Sequence, residues 1–169
     1  MNLLRTIARI LVGLLFIFSG LVKANDPLGL SYKMKEFFEV WNEGLAGLSG
    51  PGSRLLIRLF DFLHEHSLGL AIILITLEIL AGLALLLGWH MKALAWLLLV
   101  LIVFFTFLTG YAFLSGKFKN CGCFGDCLPI SPQTSFLKDL VLTALIVFLF
   151  TQRRRIKPLL AARTGHSIL

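Results

Sequence analysis

The sequence has few charged side chains: Asp, Glu, Lys and Arg together make up 15% of its 169 residues. This low charge content, with 57% hydrophobic residues and a mean hydropathy of +0.88, excludes an ordinary soluble domain. The apolar runs also lack the strict alternation expected of membrane β-strands. Because only helices and closed barrels satisfy their backbone polar groups in lipid, these runs predict membrane-spanning helices.

Cysteine is missing from all but one short stretch of the chain, which excludes a scatter of buried structural cysteines. All three cysteines fall within seven residues, in the string Cys121-Gly122-Cys123-Phe124-Gly125-Asp126-Cys127. Thiolates are strong nucleophiles and soft-metal ligands. Their concentration in a polar loop between two apolar stretches therefore predicts chemistry at a membrane surface.

The hydropathy pattern predicts an all-α membrane protein, a bundle of four transmembrane helices. A helix needs about 20 residues to cross a bilayer, and the predicted spans are residues 7–23, 68–89, 93–115 and 132–152. Ser131 as N-cap and Pro132 in the first turn give the last span a start signal. The alternative for the first segment is a signal peptide, since Val22-Lys23-Ala24 loosely fits a cleavage site. We expect one domain over residues 1–152 and a basic cytoplasmic tail over residues 153–169.

The long connection between the first two spans, residues 24–67, contains two amphipathic stretches. Residues 32–41 place aromatic side chains among charges, and residues 54–62 interleave leucine and phenylalanine with Arg58 and Asp61. This pattern is typical of helices that lie in the membrane interface. We expect both helices on the extracytoplasmic side, where they could roof the cysteine loop.

The charge distribution predicts the orientation. With both termini in the cytoplasm, that side holds eight cations and no acids, and the other side holds eight cations, Lys23 among them, matched by eight acids that include Asp139. The cluster at Arg153–Lys157, directly after a helix, favours cytoplasmic termini. The cysteine loop is then extracytoplasmic, where disulfides persist. Membrane orientation explains the net charge of +7, and nothing else indicates nucleic-acid binding.

The three cysteines are candidate redox thiols. Three thiols cannot all pair, so one of Cys121, Cys123 and Cys127 is always free to attack a disulfide. Two alternatives remain open. One is a structural disulfide that staples the loop, and the other is a zinc site in which His64 or His66 joins the cysteines.

Glu78 is the second candidate residue. It lies near the middle of the second span, where an ionised carboxylate is costly unless it is paired. Arg9 and Lys23 of the first span are the candidate partners. Glu78 is therefore either a proton relay or half of a buried ion pair. In the third span, the aromatic run Phe104, Phe105 and Phe107 either lines a quinone pocket or faces lipid.

Three motifs resemble those of known membrane proteins. The first two resemble DoxX-type proteins: Arg9-(x)3-Gly13-(x)2-Phe16-(x)2-Ser19-Gly20-(x)2-Lys23 followed by Asp26-Pro27-Leu28-Gly29, and Glu78-(x)3-Gly82-(x)2-Leu85-Leu86-Leu87-Gly88. The third, which is similar to the loop of the MauE-like branch, is Asn120-Cys121-Gly122-Cys123-Phe124-Gly125. The resemblance covers about residues 5–152. The chain departs from it at Cys127, a third thiol, and at Lys138-Asp139, where MauE relatives carry an Arg-Asn pair.

This resemblance implies a four-helix bundle in the bacterial inner membrane, linked to thiol or sulfur oxidoreduction. DoxX relatives include a small subunit of thiosulfate:quinone oxidoreductase, and MauE is implicated in maturing a disulfide-rich subunit of methylamine dehydrogenase with a thioredoxin-like partner. Our leading hypothesis is therefore a membrane redox protein that exchanges disulfides with an extracytoplasmic thioredoxin-like protein and passes electrons to or from a quinone. Whether the chain is an oxidoreductase itself or a subunit of one stays open. The alternatives are a non-catalytic assembly subunit with a disulfide- or zinc-stapled loop, and a carrier that uses Glu78.

Overall fold

The computed structural model describes residues 2–47, 50–115 and 131–152, and these residues form six helices and no strand. The helices are α1 (Asn2–Asn25), α2 (Pro27–Ala46), α3 (Pro51–Glu65), α4 (Ser67–Leu87), α5 (Met91–Ser115) and α6 (Pro132–Gln152). Four of them, α1, α4, α5 and α6, are long and apolar enough to cross a membrane. The predicted all-helical class with four spans is confirmed.

The local signals that end and begin these helices are those expected from their residues. At the start of α6, the Thr134 amide donates to Ser131 Oγ at 3.3 Å, so Ser131 is the N-cap. At the end of α4, Gly88 adopts a left-handed conformation with φ of 73°, which a residue without a Cβ reaches at little cost. This cap allows the tight turn into α5, and so α4 and α5 are neighbours of opposite direction.

Helices α1 and α4 pack closely because small residues face each other where they cross. A Cβ added at Gly82 would lie 2.8 Å from the Gly13 carbonyl oxygen and 3.0 Å from the Ile17 amide nitrogen. A Cβ at Gly20 would lie 2.5 Å from Ile79 Cγ1. Small residues at such crossings let two membrane helices approach to backbone contact. The two helices run antiparallel, since later residues of α1 meet earlier residues of α4.

Helices α5 and α6 form the second antiparallel pair. Thr106 Oγ1 lies 3.1 Å from Thr143 Oγ1, and Phe113 stacks on Phe136 at a centroid distance of 5.9 Å. The interior of the four spanning helices is a continuous apolar core that includes Val12, Phe16, Leu85, Leu98 and Ile146. Large apolar side chains are also exposed on the outer faces of these helices, as is expected of a surface that faces lipid.

Helices α2 and α3 lie at the end of the bundle where α1 ends and α4 begins. Asp26 caps α2 by accepting a hydrogen bond from the Gly29 amide at 2.9 Å, and Pro27 occupies the first turn. The apolar face of α2 packs on α4 and α5, whereas α3 packs mainly on α2 and buries none of its residues fully. Both helices fall in the connection predicted to hold amphipathic helices. Their position at a membrane interface remains a prediction.

The cysteine-bearing residues 116–130 lie outside the part of the chain that the structure describes. Their place in the chain is nevertheless fixed by what they connect, since they join the end of α5 to the start of α6. Those two helix ends belong to the same end of the bundle as α2 and α3. The basic tail predicted for residues 153–169 also lies outside the described residues.

Candidate functional site

A buried ion pair lies between α1 and α4. Lys23 Nζ donates to both carboxylate oxygens of Glu78, at 2.9 Å to Oε1 and 2.8 Å to Oε2. Lys23 is 2% exposed and Glu78 is 4% exposed. Ser19, one turn before Lys23, also accepts a hydrogen bond from Nζ at 2.8 Å. The ring of Phe105 lies beneath the same ammonium group, 4.5 Å from nitrogen to centroid, which is cation–π geometry.

Arg9, the other cation expected near Glu78, contacts the C-terminal end of α4 instead. Its Nη2 donates to the Leu86 carbonyl oxygen at 2.7 Å. This carbonyl belongs to the last turn of α4, where backbone acceptors have no partner within the helix and where positive charge is favourable. Of the two cations named from the sequence, it is therefore Lys23 that lies against Glu78, and Arg9 contacts the helix terminus.

A second polar group, which the sequence analysis did not single out, lies between α5 and α6. Asp139 is 2% exposed. Its Oδ2 accepts a hydrogen bond from Thr109 Oγ1 at 3.1 Å, and its Oδ1 lies 3.1 Å from Lys138 Nζ. The orientation argument counted Asp139 and Lys23 among the flanking charges of the outer side. The structure corrects this, because both side chains are buried inside the bundle.

One small cavity connects the two charged groups. Its volume is about 30 Å³, and its polar lining consists of Ser19, Lys23, Glu78, Lys138 and Asp139. Roughly 10–15 Å³ of such space holds a water molecule that has two or more polar partners. The cavity therefore has room for at least one water between the Lys23–Glu78 pair and the Lys138–Asp139 pair. The two ion pairs, with Ser19, Phe105 and Thr109, are here called the charge centre. Helices α1, α4 and α6 supply its charges, and α5 supplies Phe105 and Thr109.

The three phenylalanines of the predicted aromatic run do not all line one pocket. Phe105 points inward to Lys23, whereas Phe107 packs against Trp41 at a centroid distance of 5.8 Å. Phe107 lines two apolar grooves. It shares one with Phe104 along α5, and the other, of about 430 Å³, lies between α2, α3 and α5 and is here called the aromatic groove. Its lining residues are Val40, Trp41, Gly44, Leu45, Leu56, Phe60, Phe107 and Tyr111.

The histidines of the zinc alternative have other partners. His64 Nε2 lies 3.0 Å from Glu39 Oε1, and the ring of His66 lies 2.9 Å from the Phe62 carbonyl oxygen. Within residues 2–47, 50–115 and 131–152, no three His, Cys, Asp or Glu side chains are grouped as a metal site would require. Cys121, Cys123 and Cys127 lie outside these residues, so a zinc site that includes them stays an untested alternative.

The fold and the charge centre define a class: a multi-pass, all-helical membrane protein with buried charges in its bundle. The chain belongs to the MauE family, since the family model described as methylamine utilisation protein MauE matches residues 1–152. This match includes all four spanning helices and the cysteine segment. The resemblance to MauE-like proteins that the motifs indicated is confirmed.

A similar curated protein is Protein TlpB of Flavobacterium psychrophilum, which is 29% identical to this chain over 144 residues. The match covers 84% of this chain and 35% of TlpB, so the chain spans about a third of the length of that relative. No solved structure matches the chain.

Proposed function

We propose that this protein is a membrane-embedded thiol-disulfide exchange protein whose redox groups are Cys121, Cys123 and Cys127. The observation that carries the proposal is the position of these residues in the chain. They lie in the segment that joins α5 to α6, the two helices whose interface holds the buried Asp139. The MauE family membership and the Cys-Gly-Cys-Phe-Gly string also support a role in thiol-disulfide chemistry.

The exchange needs no reactant beyond a partner disulfide. A thiolate of this chain attacks the partner disulfide, a mixed disulfide forms, and the partner's leaving sulfur becomes a thiolate that takes up a proton. A second cysteine of this chain then attacks the mixed disulfide. This leaves a disulfide here and a dithiol on the partner, so two electrons have passed to the partner. The reverse sequence passes them the other way.

The proposed partner is an extracytoplasmic thioredoxin-like protein, and the proposed orientation in the bacterial inner membrane has both termini in the cytoplasm. The Arg153–Lys157 cluster supports this orientation. The starts of α1 and α5 and the ends of α4 and α6 share one end of the bundle, whereas the cysteine segment joins helices at the other end. A membrane-impermeant alkylating reagent, applied after reduction, should label the cysteines from the extracytoplasmic face alone.

A trapping experiment tests the exchange. We expect at least one single Cys→Ser variant at positions 121, 123 or 127 to accumulate a mixed disulfide, because the cysteine that would resolve it is missing. The probe is a purified thioredoxin whose resolving cysteine is replaced by serine and whose remaining cysteine is held in a disulfide with thionitrobenzoate. Attack by a thiolate of this chain joins the two proteins through a disulfide and releases thionitrobenzoate. The adduct is read on non-reducing gels. The triple serine variant is the control and should form no adduct. Failure of all three single variants, with the protein folded, would favour the assembly-subunit alternative.

The finer part of the proposal is a membrane quinone that exchanges two electrons and two protons with the cysteine pair. The aromatic groove supports it, because its volume of about 430 Å³ lies within the range of small-molecule pockets, roughly 300–1,000 Å³. Its lining is apolar and aromatic, with the Tyr111 hydroxyl as a polar group. Of the three phenylalanines first considered, only Phe107 takes part.

We expect Phe107→Ala to weaken binding of a short-chain ubiquinone analogue about tenfold. The quinone ring would lose an aromatic contact worth roughly 0.5–1.5 kcal/mol in addition to the free energy of burying its apolar surface. Binding is measured by quenching of tryptophan fluorescence in nanodiscs. The matched control is Phe113→Ala, which lies on the same helix but packs on Phe136 of α6. Equal affinities for the two variants would remove the groove from the proposal.

A further inference from the structure

We infer that Asp139, and not Glu78, is the group that takes up and releases a proton inside the bundle. The inference rests on the proposed function in one respect, since thiol exchange is the reaction that supplies and consumes the proton. Four observations carry it: the burial of the two lysines, the hydrogen bonds of Thr109, the cavity, and the position of Ser135.

The two ion pairs differ in what protonation would leave behind. Protonating Glu78 would leave Lys23, which is 2% exposed, as an unpaired charge in the apolar interior, and such a charge is strongly destabilising. Protonating Asp139 would leave Lys138, whose side chain is 27% exposed. A lysine that is exposed to this extent can extend its ammonium group toward water. The Lys138–Asp139 pair is therefore the one that can open at low cost.

Thr109 can serve both states of Asp139. Its hydroxyl lies 3.1 Å from Asp139 Oδ2 and 3.0 Å from the Phe105 carbonyl oxygen. A hydroxyl has one hydrogen to donate and can also accept. When Asp139 is ionised, Thr109 donates to the carboxylate. When Asp139 is protonated, the acid donates to Thr109, which turns its own hydrogen to Phe105. Neither state leaves the carboxyl without a partner.

Polar residues of α6, here called the polar path, lie between Asp139 and the start of the helix. Ser135 lies one helical turn before Asp139 and Ser131 one turn before that, so the three share a face of α6. Ser135 is 1% exposed, and its hydroxyl has no protein partner within the described residues, which suits it to a bridging water. Asp139 is about 12 Å along the helix axis from Ser131. On its other side, the cavity offers Asp139 room for water that touches the Lys23–Glu78 pair.

The charges that face Asp139 keep the centre neutral before the proton arrives. Lys138 comes from its own helix, Lys23 from α1 and Glu78 from α4, and α5 contributes the hydroxyl of Thr109. In the exchange step, the attacking thiol gives its proton to the Asp139 carboxylate through the polar path. The carboxylic acid later returns that proton to the leaving thiolate. No net proton is gained or lost, so the centre is reset after each exchange.

Infrared spectroscopy of the full chain in lipid nanodiscs tests the proton on Asp139 without any redox reaction. We expect the spectrum of the wild type, minus that of Asp139→Asn, to show a carboxylic-acid carbonyl band that grows as the pH is lowered. The matched control is Asp61→Asn, which removes an exposed carboxylate that bonds Asn42. An Asp139 band that stays constant over the whole pH range of the folded protein would overturn the inference.

The second arm measures the exchange rate with the thioredoxin probe. We expect Asp139→Asn to slow exchange about tenfold or more and to flatten its pH profile, with Asp139→Glu restoring both. This effect is smaller than the roughly 100- to 10,000-fold rate acceleration that a base in direct contact with the reacting group gives, because Asp139 acts through the polar path. Equal rates for wild type and Asp139→Asn would overturn the inference and leave the exchange function intact. No exchange by the wild type would overturn the function, and the infrared titration would still decide the role of Asp139.

If Asp139→Asn does not fold, Thr109→Val provides the same test with the carboxyl retained. This variant removes the hydroxyl that accepts from the protonated acid, so the carbonyl band of the acid at low pH should lie at a different frequency from that of the wild type. Identical acid carbonyl bands in the wild type and Thr109→Val would contradict the inference.

Discussion

Replacing Lys23 by methionine is expected to lower the free energy of unfolding by about 3–5 kcal/mol, the cost typical of breaking a buried ion pair. The reason is that Glu78, 4% exposed, would lose both of the hydrogen bonds that its carboxylate receives from Lys23. The measurement is reversible chemical unfolding in mixed micelles. A double variant, Lys23→Met with Glu78→Leu, should recover most of the loss, because apolar replacement removes both charges together.

The matched control for Lys23→Met is Lys33→Met. Lys33 pairs with Glu36 at 2.9 Å, but the Glu36 side chain is 46% exposed, so we expect a loss of about 0–1 kcal/mol. If Lys23→Met costs no more than Lys33→Met, then Lys23 and Glu78 do not depend on each other for burial, and the charge centre is not a structural unit.

Replacing Gly82 by alanine is expected to destabilise the protein by about 1–3 kcal/mol, the range typical of overpacking. The added Cβ would meet backbone atoms, 2.8 Å from the Gly13 carbonyl oxygen and 3.0 Å from the Ile17 amide nitrogen. Backbone cannot rotate away as a side chain can, so α1 and α4 must separate. Because Glu78 lies one turn from Gly82, the separation should also lengthen its contact with Lys23. Unfolding measurements check the first effect.

Gly69 on the same helix provides the control, since a Cβ there would meet nothing within 4 Å. We expect Gly69→Ala to be neutral or slightly stabilising, because alanine has the higher helix propensity by roughly 1 kcal/mol. Equal behaviour of the two variants would mean that the close crossing of α1 and α4 does not contribute to stability.

The sequence predicted the four spans well because hydropathy over about 20 residues is decided by the bilayer and not by tertiary contacts. It also narrowed the neighbours of Glu78 to Arg9 and Lys23. It could not choose between them, since the choice depends on how far α1 is offset along α4. That offset is set by the contact of Gly13 with Gly82, which only a structure shows.

Asp139 was missed for a similar reason. Seven residues after Pro132, it looked like a charge that flanks the last span, and the signal that could have found it was its departure from an Arg-Asn pair. Its burial depends on the register between α5 and α6, which brings Thr109 opposite to it. The phenylalanine run was divided for the same physical reason: in a helix, neighbouring residues point to different faces.

The joint between α1 and α2 has a mechanical consequence. Asp26, which caps α2, follows Lys23 after two residues, and its amide bonds the Lys23 carbonyl at 3.2 Å. A lysine clamped to α4 by both oxygens of a carboxylate thus fixes the corner from which α2 departs. If the Lys23–Glu78 ion pair lengthened, we expect α2, and α3 with it, to tilt relative to the spanning helices. The buried ion pair is thus coupled to the orientation of these two helices.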